Sequence, residues 1–307
     1  MLVTAGQLLA GVALDLAIGD PPWLPHPVRG IGWLARVCEG PLRVSGLPLR
    51  VAGLLFWALI VASCTAAVWA TVRFGPDWLS IYWIWSLLAC RDLDVEAGRV
   101  VRALAKNDPE QARKWLSWIV GRDTATLDEP DMLRATFETV AENLSDGVIA
   151  PLFWLAIAGP AGMAAYKAIN TLDSIVGYRN QRYSEFGWAS ARLDDVANFI
   201  PARLTAVLIW MAALLPGFQA LRSIRVTLRD GGSHPSPNSG YPEAAVAGAL
   251  GVQLGGLTFY EGKPTAKALL GDSVVPLERR VFQRMRVLLY ASEGLCVAAI
   301  LGCIKWL

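Results

Sequence analysis

One long apolar stretch, with a single charged residue near its start, limits the folds open to this chain more than any other feature. Residues 49–72 read LRVAGLLFWALIVASCTAAVWATV, in which Arg50 is the one charged residue. A helix of this length crosses a hydrocarbon core of about 30 Å, and its composition is that of a transmembrane segment. The stretch therefore predicts an integral membrane protein.

Composition agrees with this and excludes other classes. Of 307 residues, 54% are hydrophobic and 18% charged, whereas soluble domains carry about 25% charge. A net charge of +2 produces no field that would attract nucleic acid, so no nucleic-acid partner is expected. The two histidines are too few for a multi-histidine metal site, while carboxylate sites for hard metals stay open.

Five more apolar runs bring the expected total to four to six membrane segments: residues 5–19, 78–90, 148–169, 199–215 and 287–306. The run at 148–169 is interrupted by Gly-Pro-Ala-Gly, which fits either a kinked span or a re-entrant hairpin. The predicted fold class is an all-α polytopic membrane protein, with residues 1–307 forming a single membrane-embedded domain.

The charged region 91–147 is predicted to be a cytoplasmic helical insertion within this domain, because Arg and Lys are frequent there. An apolar stripe predicts its first helix: Leu93, Ala97, Val100, Val101 and Leu104. Asp108 followed by Pro109 predicts a capped second helix that ends near Val120. A second stripe predicts a third helix: Leu133, Phe137, Val140 and Leu144.

The first unusual polar stretch is GDPPWLPHPVR, residues 19–29. Its prolines restrict the backbone of a loop that carries Asp20, His26 and Arg29. The loop is either a rigid helix terminator or a preorganised contact for an anion or a metal. The second interpretation makes these three side chains candidates for substrate binding.

The second stretch is ENLSDG, residues 142–147. Glu142 and Asp146 are spaced i, i+4 and share a helix face, where two carboxylates repel each other unless a cation or a substrate amine lies between them. The alternative is a helix that simply ends at Gly147.

The third stretch covers residues 166–203. A polar helical stripe opposes an apolar one and predicts a contact other than lipid: Tyr166, Asn170, Asp173 and Gly177. Four guanidinium groups suit phosphate: Arg179, Arg182, Arg192 and Arg203. Three oxygen donors suit Mg²⁺: Asp194, Asp195 and Asn198. These Arg and Asp residues would alternatively neutralise one another in a structural network.

The fourth stretch is HPSPNSGYPE, residues 234–243. His234 has the pKa range of a general base, and Asn238 precedes a helix N-terminus that suits an anion. The alternative is an ordinary turn.

Together these stretches resemble the CobD/CbiB family of cobalamin biosynthesis, the adenosylcobinamide-phosphate synthases. The words that carry the resemblance are DLAIGDPPWLPHPVRGIG, VAENLSDGVIAPLFW, YKAINTLDSIVGYRNQRYSEFGWASARLDDVANFIPARLTA and HPSPNSGYPEAAVAGALGVQLGG. They occur in the family's order over residues 14–256.

The resemblance implies a multi-pass enzyme of the cell inner membrane. It would join (R)-1-aminopropan-2-ol, free or as its O-phosphate, to the propionate carboxyl of adenosylcobyric acid and form adenosylcobinamide phosphate. ATP is implied as cosubstrate, with Mg²⁺. The implied partners are the corrinoid, the amine, membrane lipids and other membrane enzymes of cobalamin assembly.

Residue roles within that reaction follow from residue type. Glu142 or His234 would be the base, with Asp146 as a third catalytic candidate. Aromatic and amide side chains would contact the corrinoid: Trp188, Tyr178, Tyr183, Asn170 and Asn238. Asp173 joins the substrate-binding set. The alternative function is a non-catalytic corrinoid carrier or scaffold, since polar stripes on broken helices also build transporter sites.

Overall fold

A computed structural model describes residues 3–21, 23–178, 180–260 and 262–304 of the chain. Helices make up most of its fold. The helices are α1 Ala5–Ile18, α2 Pro27–Arg43, α3 Leu49–Phe74, α4 Trp78–Leu87, α5 Cys90–Ala105, α6 Pro109–Leu116, α7 Glu129–Leu144, α8 Ala150–Val176, α9 Trp188–Ala197, α10 Phe199–Ala212, α11 Ala220–Asp230, α12 Gly240–Leu250 and α13 Val281–Ile304. A π-helical turn, Ser145–Ile149, joins α7 to α8, and a 3₁₀ turn, Gly231–Ser233, follows α11. The predicted all-α membrane fold class is confirmed, apart from one hairpin.

The chain divides into two compact units. The first unit comprises Met1–Ala89, Ala150–Phe199 and Ala299–Leu307, and the second comprises Cys90–Ile149 and Ile200–Ala298. The region predicted as an insertion, 91–147, thus belongs to a larger unit that also includes the later chain. Its cytoplasmic location stays a prediction.

Three helical segments among the described residues are long and apolar enough to span a membrane: Leu49–Phe74, Glu129–Val176 and Val281–Ile304. The pair α9 and α10 would form a fourth if the two helices are one broken span. The count therefore lies at or below the lower end of the expected four to six. The apolar runs of α1 and α4 form helices of 14 and 10 residues, which are shorter than the roughly 20 residues of a span.

The core of the first unit lies between α2, α3, α8 and the segment that precedes α9, and its centre consists of Phe56, Leu172 and Phe186. At Gly53 of α3 the carbonyl of Phe186 occupies the place of a side chain, so a residue with a Cβ would push the two segments apart.

The interruption predicted in the run 148–169 is confirmed within α8. Ala158 and Gly159 leave the helical conformation, and Gly159 has φ 67°, a value that favours glycine. Pro160 follows and has no N–H to continue the helical hydrogen bonds.

In the second unit, α5, α6 and α7 pack around Val100, Leu116 and Met132. The apolar stripe predicted for α5 faces this interior, and the Asp108 carboxylate accepts the N–H of Gln111 at 3.0 Å, as predicted for a helix cap. The second helix is shorter than expected and ends at Leu116.

A two-stranded hairpin was not expected from the sequence. β1, Leu254–Tyr260, pairs antiparallel with β2, Lys263–Leu270, with Tyr260 opposite Lys263 and an irregularity at Leu254 and Gly256. Glycines in β1 weaken the strand pattern, and the segment is too short for periodicity to identify it.

Candidate functional site

Three glutamates come together in the second unit, where α12 packs against α7. Glu138 and Glu142 lie one turn apart on α7, and Glu243 lies in the first turn of α12. Glu138 is 1% exposed and Glu243 is fully buried, whereas Glu142 is half-buried. Buried carboxylates are rare without partners, so the contacts of each glutamate indicate whether its role is structural or whether it is available to a ligand.

Glu138 accepts a hydrogen bond at each of its two oxygens. Arg122 donates to Oε2 with an Nη2–Oε2 distance of 2.5 Å, and the N–H of Gly255 donates to Oε1 at 2.8 Å. The guanidinium of Arg134 is 4.0 Å from Oε1. Glu138 thus connects α7 to the loop after α6 and to the hairpin.

Glu142 contacts the loop that precedes α12. Ser239 Oγ donates to Glu142 Oε1 at 2.8 Å. Ser236 holds this loop, because its Oγ accepts the N–H groups of Asn238 and Ser239, both at 3.2 Å. The fourth polar stretch of the sequence therefore meets the second one at Glu142.

Glu243 has no hydrogen bond to either carboxylate oxygen within the described ranges. His234 Nε2 is 3.9 Å from Oε1, which exceeds a hydrogen-bond distance. Burial, reinforced by Glu138 and Glu142, raises the pKa of Glu243 well above its ordinary value, against the opposing charges of Lys267 and Arg122.

His234 is held as a neutral imidazole. Its Nδ1 accepts the N–H of Ser236 at 3.0 Å, which assigns the proton of the neutral ring to Nε2. Burial and the charge of Lys267 lower the pKa of the ring, although Glu142 and Glu138 oppose the shift. In this arrangement neither nitrogen offers a lone pair to a substrate, so the geometry does not favour His234 as the base.

The buried carboxyl of Glu243 leads to a pH-dependent stability. Its folded-state pKa lies above the unfolded value of about 4.5, so stability falls as pH rises from 4.5 towards the folded pKa. We expect Glu243→Gln to remove this loss and to raise the thermal unfolding midpoint above that of the native protein at pH 8. Between pH 4.5 and the folded-state pKa, the difference in free energy of unfolding between the variant and the native protein should grow by up to about 1.4 kcal/mol per pH unit. Equal midpoints from pH 5 to pH 8 would contradict the assignment.

Asp146 lies in the π-helical turn Ser145–Ile149. The chain stays helical through Gly147 and into α8, so the alternative of a helix ended by Gly147 is not observed. Single π-helical turns often occur at functional sites. The catalytic role of Asp146 stays a prediction.

The polar stripe of α8 faces α9 in the first unit. Tyr166 donates its hydroxyl to Asn198 Oδ1 at 2.8 Å, and Asn170 Nδ2 donates to Asp194 Oδ1 at 3.3 Å. Asn198 Nδ2 donates to Asp194 Oδ2 at 3.0 Å. The expectation of a contact other than lipid is met by this network, and Asp173 also lies within electrostatic reach of Asp194.

The three residues predicted to bind Mg²⁺ are only partly brought together. Asp194 and Asn198 are hydrogen-bonded to each other, and both oxygens of Asp194 and the amide oxygen of Asn198 already accept hydrogen bonds. Asp195 is 3.6 Å from Arg192. The donor set as arranged therefore does not fit a metal ion.

The Pro-rich loop forms one wall of a cavity in the first unit. His26 caps α2 with Nδ1, which accepts the N–H of Val28 at 3.3 Å, and its Nε2 is 2.9 Å from Asp20 Oδ2. Asp20, His26, Arg29 and Lys167 line a cavity of about 360 Å³. Two cations in one cavity suit an anionic group such as phosphate.

The arginines predicted to bind phosphate each have protein partners where the structure describes them. Arg182 is 3.1 Å from Glu39 and Arg192 contacts Asp195. Arg203 lies over the ring of Tyr241 and donates to Asn238 Oδ1 at 3.4 Å. Arg179 lies outside the described residues.

The tyrosines expected to stack on a corrinoid are near each other. The rings of Tyr178 and Tyr183 are 6.4 Å apart between centroids, and Tyr178 is exposed. Arg43 and Arg182 both lie over Tyr183. Trp188 is exposed, with Arg50 over its ring.

Sequence reasoning missed three residues of the glutamate cluster: Arg122, Glu138 and Glu243. Glu138 was identifiable, because it precedes Glu142 by one helical turn. Glu243 stands in the fourth polar stretch, but its burial depends on how α12 packs against α7.

Comparison with known proteins gives one consistent result. Residues 8–289 match the family model described as CobD/Cbib protein. The "Cobalamin biosynthesis protein CobD" of Geobacter metallireducens is 50% identical over 304 residues, which cover 97% of this chain and 96% of the relative. The protein of the same name from Klebsiella pneumoniae is 42% identical over 96% of this chain and 95% of its own length. The "Cobalamin biosynthesis protein CbiB" of Salmonella arizonae is 41% identical, with the same coverage.

No solved structure matches the chain significantly. The family model covers all four polar stretches, including the cluster around Glu142 and Glu243, and the relatives align over nearly their whole length. On this evidence the chain belongs to the CobD/CbiB family.

Proposed function

We propose that this protein acts in cobalamin biosynthesis as an ATP-dependent amide-forming ligase of the cell inner membrane. It attaches (R)-1-aminopropan-2-ol, as its O-phosphate, to the propionate carboxyl of adenosylcobyric acid and releases adenosylcobinamide phosphate. The observation that carries the proposal is the family match over residues 8–289. Cobalamin biosynthesis stands in the relatives' names, and the reaction is the one implied by the sequence resemblance.

Amide formation from a carboxylate requires activation, because the carboxylate oxygen is a poor leaving group. In the proposed reaction MgATP transfers its γ-phosphoryl group to the propionate and leaves as ADP. The amine nitrogen then attacks the carbonyl carbon of the acyl phosphate, the C–N bond forms and the C–O bond to phosphate breaks. One proton must leave the ammonium before attack, and a second leaves the nitrogen afterwards.

Glu142 is the residue we assign as base for these protons. It is half-buried, has an ionisable carboxylate and accepts one hydrogen bond, from Ser239. His234 was the other candidate, but its Nδ1 accepts the N–H of Ser236, so Nε2 carries the proton of the neutral ring and has no lone pair to accept another. Glu138 is engaged by Arg122 and Gly255.

The phosphate groups of the substrates need cationic partners. Arg29 and Lys167 line one cavity, which supports a phosphate contact there. The assignment of phosphate to Arg179, Arg182, Arg192 and Arg203 stays a prediction, whereas the hydrogen bonds among Asp194, Asn170, Asn198 and Tyr166 do not support Mg²⁺ at Asp194, Asp195 and Asn198. We assign no step of the reaction to a metal at the latter three residues.

A coupling assay tests the proposed function. We expect purified protein in detergent or vesicles to convert adenosylcobyric acid, aminopropanol phosphate and MgATP to a corrinoid with the mass of the amide. Mass spectrometry of the corrinoid measures this, and omission of ATP should abolish the product. Corrinoid binding without product, by protein shown to be folded, would instead indicate a carrier or scaffold.

A further inference from the structure

The buried carboxyl of Glu243 has neither a cation nor a hydrogen-bond donor in contact among the described residues. Glu138 and Glu142 on α7 are its nearest acidic neighbours, and Arg122 and Lys267 are the cations that influence it, with His234 facing it from the preceding loop. Arg122 is hydrogen-bonded to Glu138. Lys267 is half-buried on β2 and forms no ion pair within 4.0 Å in the described ranges. Glu142 and Glu243 therefore have no cation in contact.

The unbonded oxygens of Glu243 point to a missing partner. A buried carboxylate without hydrogen bonds is costly, and most such groups in proteins have an explanation in function or in an additional bound group. Glu142 is half-buried, and Gly232, Ser233, Pro235 and Pro237 of the preceding loop are exposed, so a small ligand would have to reach the cluster past this loop.

The chemistry of this cluster favours an ammonium group over a divalent metal ion. Its carboxylate and imidazole groups do not place three ligand atoms within 4.8 Å of one another in the part of the chain that the structure describes. His234 presents Nε2–H, which is a donor and not a metal ligand. An alkylammonium ion offers three N–H donors, Glu243 offers two unbonded acceptor oxygens, and Glu142, which interacts electrostatically with Glu243, offers the oxygen that Ser239 does not engage.

We propose that Glu243, together with Glu142, binds the primary ammonium group of the amine substrate through charge-assisted hydrogen bonds. This inference rests on the proposed function for the identity of the amine. The carboxyl of Glu243 would release its proton when the ammonium binds, because a cation in contact favours the carboxylate. The ammonium would then satisfy both oxygens of Glu243 and would hold the nitrogen near Glu142, the residue assigned as its base. Glu243 would then select primary amines, because each methyl group on the nitrogen removes one N–H donor.

The test is a binding measurement without ATP or corrinoid. Isothermal titration of the full-length protein in detergent would compare 1-aminopropan-2-ol O-phosphate with propan-2-yl phosphate, which lacks the amine. We expect Glu243→Gln to raise the Kd of the amine about tenfold or more and to leave the Kd of propan-2-yl phosphate unchanged. Glu243→Asp, which keeps the charge but shortens the side chain, should have an intermediate effect and guards against misfolding of the first variant.

The matched control is Glu110→Gln, because Glu110 is exposed in the first turn of α6. It should bind the amine as the native protein does. An unchanged amine Kd in both Glu243 variants would overturn the inference, as would Mn²⁺ binding that Glu243→Gln abolishes. If no amide forms in the coupling assay but amine binding depends on Glu243, the proposed function fails and the ammonium site stands.

Discussion

Replacement of Arg122 by Ala is expected to lower the free energy of unfolding by about 3–5 kcal/mol, because it leaves the buried Glu138 carboxylate without the cation that is hydrogen-bonded to it. The two side chains are 8% and 2% exposed, so water cannot replace the lost contact. Gly255 N–H and the guanidinium of Arg134, which is 4.0 Å from Glu138 Oε1, would remain, but neither forms an ion pair of hydrogen-bond length with the carboxylate. Thermal unfolding in detergent at pH 7 measures the effect.

A matched control separates this contact from the general loss of an arginine. Arg280 pairs with Glu278 at 2.8 Å, but the two side chains are 76% and 47% exposed. Arg280→Ala is therefore expected to cost at most about 1 kcal/mol. The double variant Arg122→Ala with Glu138→Gln should recover part of the stability, since it removes the uncompensated charge. Equal losses for Arg122→Ala and Arg280→Ala would show that the buried pair does not stabilise the unit.

Glu142→Gln is expected to reduce the rate of amide formation by about 10²–10⁴, the usual contribution of a general base. Glutamine keeps an oxygen that accepts the hydrogen bond from Ser239, so the loop before α12 should stay in place. The rate is measured in the coupling assay at saturating MgATP.

Glu110→Gln again provides the control, because Glu110 is exposed on α6 and should leave the rate unchanged. Alkaline pH should partly restore the Glu142→Gln variant, since free amine then replaces the ammonium. A Glu142→Gln protein with the native rate at pH 7 would exclude this residue as base.

Local features of the fold were predictable from the sequence because they depend on neighbouring residues. The length of the apolar run identifies α3, the Asp108 cap marks the start of α6, and Gly159 with Pro160 marks the break in α8. The hairpin was not predictable, because strands with adjacent glycines have no clear alternation.

The site was predictable in its residue types and less so in its geometry. Glu142 and His234 were both candidates for the base. What brings the loop of His234 to Glu142 is a hydrogen bond between Ser239 and Glu142, which are 97 positions apart in the sequence. The exclusion of His234 as base depends on the direction of one backbone N–H, that of Ser236. No sequence pattern carries that information.

The hydrogen bond from Gly255 to Glu138 joins residues 117 positions apart, and this separation has a consequence for the order in which the site forms during translation. A ribosome completes α7 long before it reaches the loop at 234–239 and the hairpin. Until those segments emerge, the cations near Glu138 along the nascent chain are Arg122 and Arg134. The ammonium site would therefore be completed late in translation, and a nascent chain stalled before residue 234 would carry a membrane anchor in α3 but would lack Ser239 and Glu243.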